Sequence, residues 1–227
     1  MDDPALDKKI HEQALAGLRR VNSLSRTAAV FENAIVNSGV LEGSRSEPIR
    51  ILDIACGGGD LVIQLAKRLR KHSPQVEVEG CDISSTAIDF AKQQANDAGC
   101  RNARFFKHDV LKDELPPHSY HITMCSLFMH HLDEPEALRL LTFMNGTASE
   151  LAMVDDLKRT RFGYWLAWVG CRLLSRCHVV HVDGPRSVEG AFTVDEAMKL
   201  AAQADWNETT ISSHWPERFL MTSRTGS

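Results

Sequence analysis

The stretch ILDIACGGGD, residues 51–60, constrains the fold of this chain more than any other. Its apolar first half is typical of a buried strand, three glycines follow as a loop, and an amphipathic helix is predicted from Asp60. Glycines let the backbone adopt positive φ angles and pass close to another molecule. The free N–H groups at the start of the helix suit a polar or anionic part of that molecule. We therefore expect a ligand site at the carboxyl end of this strand.

The alternation of strands and helices continues along the chain. Strands are predicted over residues 49–55, 76–82, 103–109, 119–126 and 149–156, and helices over residues 60–72, 84–99, 134–146 and 193–206. Two closing strands, residues 208–215 and 218–224, are joined by a Pro-Glu turn and predict a hairpin. This order predicts an α/β fold with a Rossmann-like, doubly wound, seven-stranded sheet, mostly parallel with an antiparallel last strand.

Two further segments accompany this core. Residues 5–39 are predicted to be helical, and four apolar residues of the first part share one face: Leu6, Ile10, Ala14 and Leu18. The alternation pauses over residues 157–191, where an aromatic segment predicts a helical insert after strand five. We therefore divide the chain into an N-terminal helical cap, residues 1–44, and one domain over residues 45–227 that includes the insert.

Composition argues against several kinds of partner. The 227 residues carry a net charge of -4 and no basic block, which argues against a nucleic-acid partner gripped through its phosphates. The first residues are acidic and lack an apolar core, so we expect no secretory signal. The longest apolar run, Phe162 to Cys171, is about half of the ~20 residues that a membrane span needs, so we expect no stable membrane insertion.

The cysteines and histidines predict a cytoplasmic protein without a metal. None of the six cysteines forms a C-x-x-C pair, and buried free thiols in a reducing compartment are the simplest interpretation. Cys177 precedes His178 and His181, which have H-x-x-H spacing, but no second pair of ligands accompanies them. For the oligomeric state, the sequence is compatible with both a monomer and a homodimer.

The glycine loop departs from the dinucleotide fingerprint G-x-G-x-x-G, because Val62 occupies the third glycine position. The pattern Asp53-x-Ala55-x-Gly57-x-Gly59 instead resembles the glycine motif of class I S-adenosylmethionine-dependent methyltransferases. That resemblance implies S-adenosylmethionine as the cofactor and covers roughly residues 45–225. It assigns the cofactor site to ten residues: Asp53, Ala55, Cys56, Gly57, Gly59, Asp82, Ile83, Asp109, Val110 and Ser126.

Two acidic strand ends carry the rest of the resemblance. It implies that Asp82, at the end of the second strand, binds both ribose hydroxyls, and that Asp109, at the end of the third, contacts the adenine amino group. The chemistry is consistent, because a carboxylate accepts hydrogen bonds from vicinal hydroxyls and from an amino group. A cationic sulfonium likewise prefers acidic or aromatic surroundings.

The acceptor side of the site is open to two interpretations. The insert carries Phe162, Tyr164, Trp165 and Trp168, and it either lines an apolar acceptor pocket as a lid or packs on the sheet. Histidine suits the removal of a phenolic proton near neutral pH. We select His130, His131 and His181 as catalytic candidates, and His178 and Asp155 are weaker ones.

These features predict an enzyme that transfers a methyl group to a small, apolar or aromatic acceptor molecule. We expect methylation on oxygen, and carbon methylation of a quinone or polyketide-like precursor is the alternative. A nicotinamide-dependent oxidoreductase and a non-catalytic nucleoside-binding module are alternatives of other classes.

Overall fold

The computed structural model describes residues 26–43, 45–174 and 178–225, and it leaves some side chains between residues 171 and 183 undescribed. The predicted first part of the N-terminal helix, with Leu6, Ile10, Ala14 and Leu18, lies outside these residues. So does Cys177, and the side chain of His178 is also undescribed.

The described part of the chain alternates strands and helices as predicted. The strands are β1 (Ile49–Ile54), β2 (Val76–Asp82), β3 (Ala103–Lys107), β4 (Tyr120–Ser126), β5 (Ala148–Leu157), β6 (Thr210–His214) and β7 (Arg218–Arg224). The helices are α1 (Thr27–Asn37), α2 (Asp60–Leu69), α3 (Ser85–Asp97), α4 (Glu134–Thr147), α5 (Arg161–Leu174), α6 (His178–Gly190) and α7 (Val194–Gln203). A short 3-10 helix, Met129–His131, follows β4.

The seven strands form one sheet in the order β3-β2-β1-β4-β5-β7-β6. β1 to β5 pair in parallel, whereas β7 runs antiparallel to both β5 and β6. The predicted Rossmann-like sheet with an antiparallel last strand is therefore confirmed. The parallel strands end along one edge, and this edge collects most of the predicted cofactor residues.

Helices cover both faces of the sheet. On one face, α1, α2 and α3 pack on the buried strand residues, and Phe31 and Ile35 of α1 are fully buried there. On the other face, α4 and α7 enclose a second core. Three helix starts are fixed by local side-chain caps: Ser84 caps α3, and capping boxes at Asp133 and Thr193 begin α4 and α7.

The insert after β5 contains two helices. The aromatic segment forms α5, as predicted, and α6 follows it with Pro185 inside the helix. The sequence analysis predicted a helical insert over residues 157–191 but did not divide it into two helices. Among the residues that the structure describes, no helix has both the length and the apolar character needed to cross a membrane.

The buried cysteines agree with the sequence analysis. Among the described residues, Cys56, Cys81, Cys100 and Cys125 are free thiols, and all but Cys56 are buried. Burial raises the pKa of Cys81 to about 12, and the carboxylate of Asp53 adds to the effect. These thiols are therefore inert packing residues at neutral pH.

Candidate active site

The glycine loop between β1 and α2 uses its glycines in two different ways. Gly57 has φ +51°, and a Cβ placed there would meet no atom within 4 Å. Gly59 has φ +77°, and its Cβ would lie 2.6 Å from the Phe105 ring and 2.8 Å from Ala91. Gly59 therefore permits close packing of the loop, whereas Gly57 faces open space at the strand end. Ala55 also adopts a left-handed conformation, with φ +54°.

Asp82 holds the glycine loop against the start of α3. One carboxylate oxygen accepts the Gly57 N–H at 2.9 Å, and the other accepts the Ser84 N–H at 2.8 Å. Each oxygen keeps a second lone pair for a ligand hydroxyl. The neighbouring Ile83 side chain is 58% exposed, which is unusual for a large apolar residue and gives a flat ligand a surface to lie on.

Asp53 is a buried carboxyl group beside Asp82. Burial raises its pKa well above the ordinary value, and the charge of Asp82 raises it further. No residue that the structure describes donates a hydrogen bond to this side chain. A buried carboxyl without a protein partner fits a cationic ligand, whose charge would favour the ionised form. The site is thus suited to the sulfonium and ammonium groups of S-adenosylmethionine.

Asp53→Asn should stabilise the free protein and weaken binding of a cationic ligand. Because the folded pKa of Asp53 is raised, the stability it contributes is present below pH 3.8 and is lost as pH rises through the folded value. The asparagine variant escapes this loss and should be more stable at neutral pH by about 0.5–2 kcal/mol. Urea unfolding at acidic and neutral pH checks this, and a gain in stability that is equal at both pH values would contradict it.

The end of β3 places Asp109 at the rim of the site. Its carboxylate accepts the Leu111 N–H at 3.2 Å and pairs with Lys112 at 3.0 Å. Burial raises the pKa of Asp109, but the Lys112 hydrogen bond and smaller attractions outweigh it, so the net pKa is lowered and the group is ionised. Val110 is buried in the second core. His108 is a residue that sequence reasoning missed: its Nε2 is buried and has no partner among the described residues.

Two other predicted positions, Cys56 and Ser126, have protein partners. The Cys56 thiol packs at the sheet, because a Cβ on Gly80 would lie 2.7 Å from its sulfur. Burial raises the pKa of this thiol, and the charges of Asp53 and Asp82 add to the effect. The Ser126 hydroxyl accepts a hydrogen bond from Arg218 at 3.0 Å, so the protein already engages it.

Arg218 organises a buried ionic cluster beneath Ser126. Its guanidinium binds both oxygens of Asp155, at 3.1 and 2.6 Å, and donates to Thr27 of α1 at 3.0 Å. His214 contacts Asp155 at 2.9 Å. Asp155 is fully buried, so it acts as a structural anion that joins β5 to the closing hairpin. Arg218 lies in a predicted strand, and nothing in the sequence indicated that it would pair with Asp155.

A histidine–aspartate pair lies at the carboxyl ends of β4 and β5. His130 Nδ1 is 2.6 Å from Asp156 Oδ1, and the His130 N–H donates to Oδ2 at 3.1 Å. Burial raises the pKa of Asp156, but attraction to His130 and hydrogen bonds from His130 and Leu157 outweigh it, so the net pKa is lowered. An ionised Asp156 accepts the Nδ1–H and leaves the Nε2 lone pair of His130 available. Sequence analysis selected His130 as a candidate but did not pair it with Asp156.

The other two catalytic candidates are placed differently. The His131 ring lies 4.1 Å from that of His130 and is exposed. His181 lies on α6 and is half-buried. The end of α6 reaches the same region, since a Cβ on Gly190 would lie 2.8 Å from the His130 carbonyl oxygen. Within the described residues, no group of three or more His, Cys, Asp or Glu side chains could hold a metal ion.

Known proteins share this architecture. Residues 51–147 match the family model of the methyltransferase domain. Demethylmenaquinone methyltransferase of Deinococcus radiodurans is 32% identical over 116 residues, which are 47% of this chain and 46% of that protein. The tRNA1(Val) (adenine(37)-N6)-methyltransferase of Tolumonas auensis is 29% identical over 117 residues, which are 50% of this chain and 48% of that protein. The chain thus spans about half the length of these two relatives.

A solved structure agrees over nearly the whole chain. The plantazolicin methyltransferase BpumL, in complex with a triazolic analogue and SAH, superimposes with a TM-score of 0.72 at 16% identity, covering 99% of this chain and 92% of that one. The strand order and the loop position therefore define a class I methyltransferase fold. The family-model match over residues 51–147 contains the glycine loop and agrees with the resemblance to S-adenosylmethionine-dependent methyltransferases that the sequence predicted.

Proposed function

We propose that this protein transfers a methyl group from S-adenosylmethionine to an oxygen atom of a small, apolar or aromatic acceptor. The observation that carries the choice of oxygen is the pair of His130 and Asp156 at the carboxyl ends of β4 and β5. A hydroxyl acceptor must lose its proton, and a histidine held in one tautomer by a carboxylate is suited to take it.

The cofactor half of the site consists of residues that the glycine loop brings together. Gly57 and Asp82 offer backbone space and carboxylate lone pairs, Ile83 offers an apolar surface, and Asp53 and Asp109 offer carboxyl groups. S-adenosylmethionine supplies an electrophilic methyl group when it is bound there. The protein then has to orient the acceptor and exclude water.

On the acceptor side of the site, the protein carries out one chemical step, the removal of the hydroxyl proton. Asp156 fixes the proton of His130 on Nδ1, so Nε2 accepts the hydroxyl proton and holds it on the imidazolium while the oxygen is methylated. The buried Asp156 stabilises that cation. His131, whose ring contacts that of His130, and His181, on α6, stay further candidates. Within the predicted lid, residues 157–191, the end of α6 is the part that lies beside His130, and we propose that it borders the acceptor. The predicted cap, residues 1–44, stays a prediction, because residues 1–25 lie outside the described part of the chain.

Carbon methylation of a quinone precursor is a second candidate. The observation that favours it is the likeness to demethylmenaquinone methyltransferase, whose name specifies a quinone acceptor. In that reaction His130 would activate a ring carbon by removing a nearby hydroxyl proton.

A panel of phenols and quinone precursors tests both candidates, with S-adenosylhomocysteine formation as the common readout. Oxygen methylation predicts turnover of phenols to methyl ethers, identified by mass spectrometry of the products. Turnover of carbon or nitrogen acceptors alone would contradict oxygen methylation but leave methyl transfer intact. Absence of turnover with every acceptor, despite S-adenosylmethionine binding, would favour the nucleoside-binding module.

A further inference from the structure

Helix α5 is an apolar helix that the rest of the structure leaves exposed. Gly163 is its only buried residue among those whose side chains are described. Three rings are about half exposed: Phe162 (53%), Trp165 (56%) and Trp168 (45%). Exposed aromatic rings in such a group mark a contact with another molecule. This observation contradicts the interpretation that these rings pack on the sheet.

The exposed face of α5 carries cations beside its aromatic rings. At about 100° per residue, Arg161 and Arg172 lie within the same third of the helix circumference as the three rings. Arg172 lies over the Trp168 ring at 3.9 Å and donates to its carbonyl oxygen. Among the described residues, no acidic side chain pairs with either arginine.

The charge of this segment opposes that of the whole chain. Residues 157–182 contain no aspartate or glutamate but include one lysine and four arginines, although the net charge of the protein is -4. Lys158 and Arg159 are neutralised by Glu217 and Glu196. Among the described residues of this segment, the arginines without an acidic partner therefore lie on the same face as the rings, and an anionic partner complements them.

The hairpin beside α5 extends the aromatic surface. Thr160 donates to Glu217 at 2.9 Å, and a Cβ on Gly163 would lie 3.4 Å from Glu217. The β6–β7 turn is thus held against the first turn of α5. That turn carries Trp215, whose side chain is 64% exposed.

We propose that α5 is a membrane-surface helix, which binds an anionic lipid bilayer with the face that contains Phe162, Trp165, Trp168, Arg161 and Arg172. Indole rings favour the boundary between lipid headgroups and acyl chains, because one end is apolar and the other is a hydrogen-bond donor. Arginines on the same face contact lipid phosphates. The helix lies on the bilayer and does not span it. This proposal does not depend on the proposed methyl transfer.

A bilayer fits this face better than a second copy of the chain. A two-fold contact places the same patch on both sides of the interface. Arg161 and Arg172 would then meet the same cations without an intervening acid, which is unfavourable. An anionic bilayer neutralises both arginines and also buries the rings.

Vesicle flotation tests the proposal on the full chain. The protein should float with phosphatidylcholine vesicles that contain phosphatidylglycerol, and much less with phosphatidylcholine alone. Arg161→Gln with Arg172→Gln should weaken this binding about thirtyfold, because each arginine near the surface contributes about a fivefold step. Trp165→Ala with Trp168→Ala should weaken it at least about tenfold.

A matched variant separates this face from general charge. Arg101→Gln with Arg104→Gln removes the same charge from the exposed region at β3, the opposite edge of the sheet, and should bind vesicles as the parent does. Binding that falls equally in both double arginine variants would overturn the proposal. So would a parent protein that does not float, or sedimentation of a dimer that Trp165→Ala with Trp168→Ala dissociates.

Discussion

Replacing His130 with glutamine is expected to lower the rate of methyl transfer by about 10²- to 10⁴-fold, the contribution of a positioned general base. Glutamine keeps much of the side-chain volume but cannot take up a proton at neutral pH. The loss should be in kcat rather than in KM, because the proton moves only in the chemical step. The rate of the His130→Gln variant should recover as pH rises, because an acidic phenol then loses its proton to solvent without a general base.

Asp156→Asn tests the orienting role of the buried carboxylate. An asparagine amide can donate to Nδ1 and favour the wrong tautomer of His130. We therefore expect kcat for methyl transfer to fall about 10²-fold or more. His72→Gln, on the far side of the fold beside Glu32, is the matched histidine control. A His130→Gln variant with parental kcat at every pH would make this pair purely structural.

Gly57→Val is expected to reduce the affinity for S-adenosylmethionine more than 100-fold while the chain stays folded. The new side chain occupies the open space at the strand end, where no protein atom lies within 4 Å. The left-handed φ of +51° adds strain of about 1–2 kcal/mol to the folded state. Calorimetric titration and urea unfolding measure the two effects separately.

Two other glycines provide the controls. Gly99 also has a left-handed φ, +61°, and open space around it, so Gly99→Val should cost similar stability and leave cofactor affinity unchanged. Gly59→Ala should cost more stability, about 2–5 kcal/mol, because strain and overpacking against Phe105 add together. Equal affinities for the Gly57→Val and Gly99→Val variants would show that the loop is only a turn.

Local patterns were sufficient to predict the sheet. The run from Ile51 to Ile54 is continuously buried, as in parallel strands covered on both faces, and it gave a clear signal. The caps at Ser84 and Thr193 lie within four residues of the N–H groups they accept and were equally readable. The insert was predicted to be helical, but its division into α5 and α6 was not predicted, and Pro185 inside α6 is a residue that normally argues against a helix.

Long-range contacts set the limit for the site. The His130–Asp156 pair joins residues 26 positions apart, and Arg218 reaches Asp155 across 63 positions. Contacts at such sequence separations produce no local spacing pattern from which they could be predicted. The different roles of Gly57 and Gly59 depend on Phe105, which the fold brings to one of them only. The sequence therefore identified which residues gather at the strand ends but not how they pair.

The central claim is a binding site for S-adenosylmethionine built on Asp82, and calorimetric titration of the parent and of Asp82→Ala tests it most directly. The parent should bind S-adenosylmethionine with a Kd on the order of micromolar, and NAD much more weakly. Asp82→Ala should lose about 1.5–3 kcal/mol of binding free energy, because charge-assisted hydrogen bonds disappear and the Gly57 N–H loses its acceptor. A parent that binds NAD and not S-adenosylmethionine, or an Asp82→Ala variant with unchanged affinity, would contradict the account.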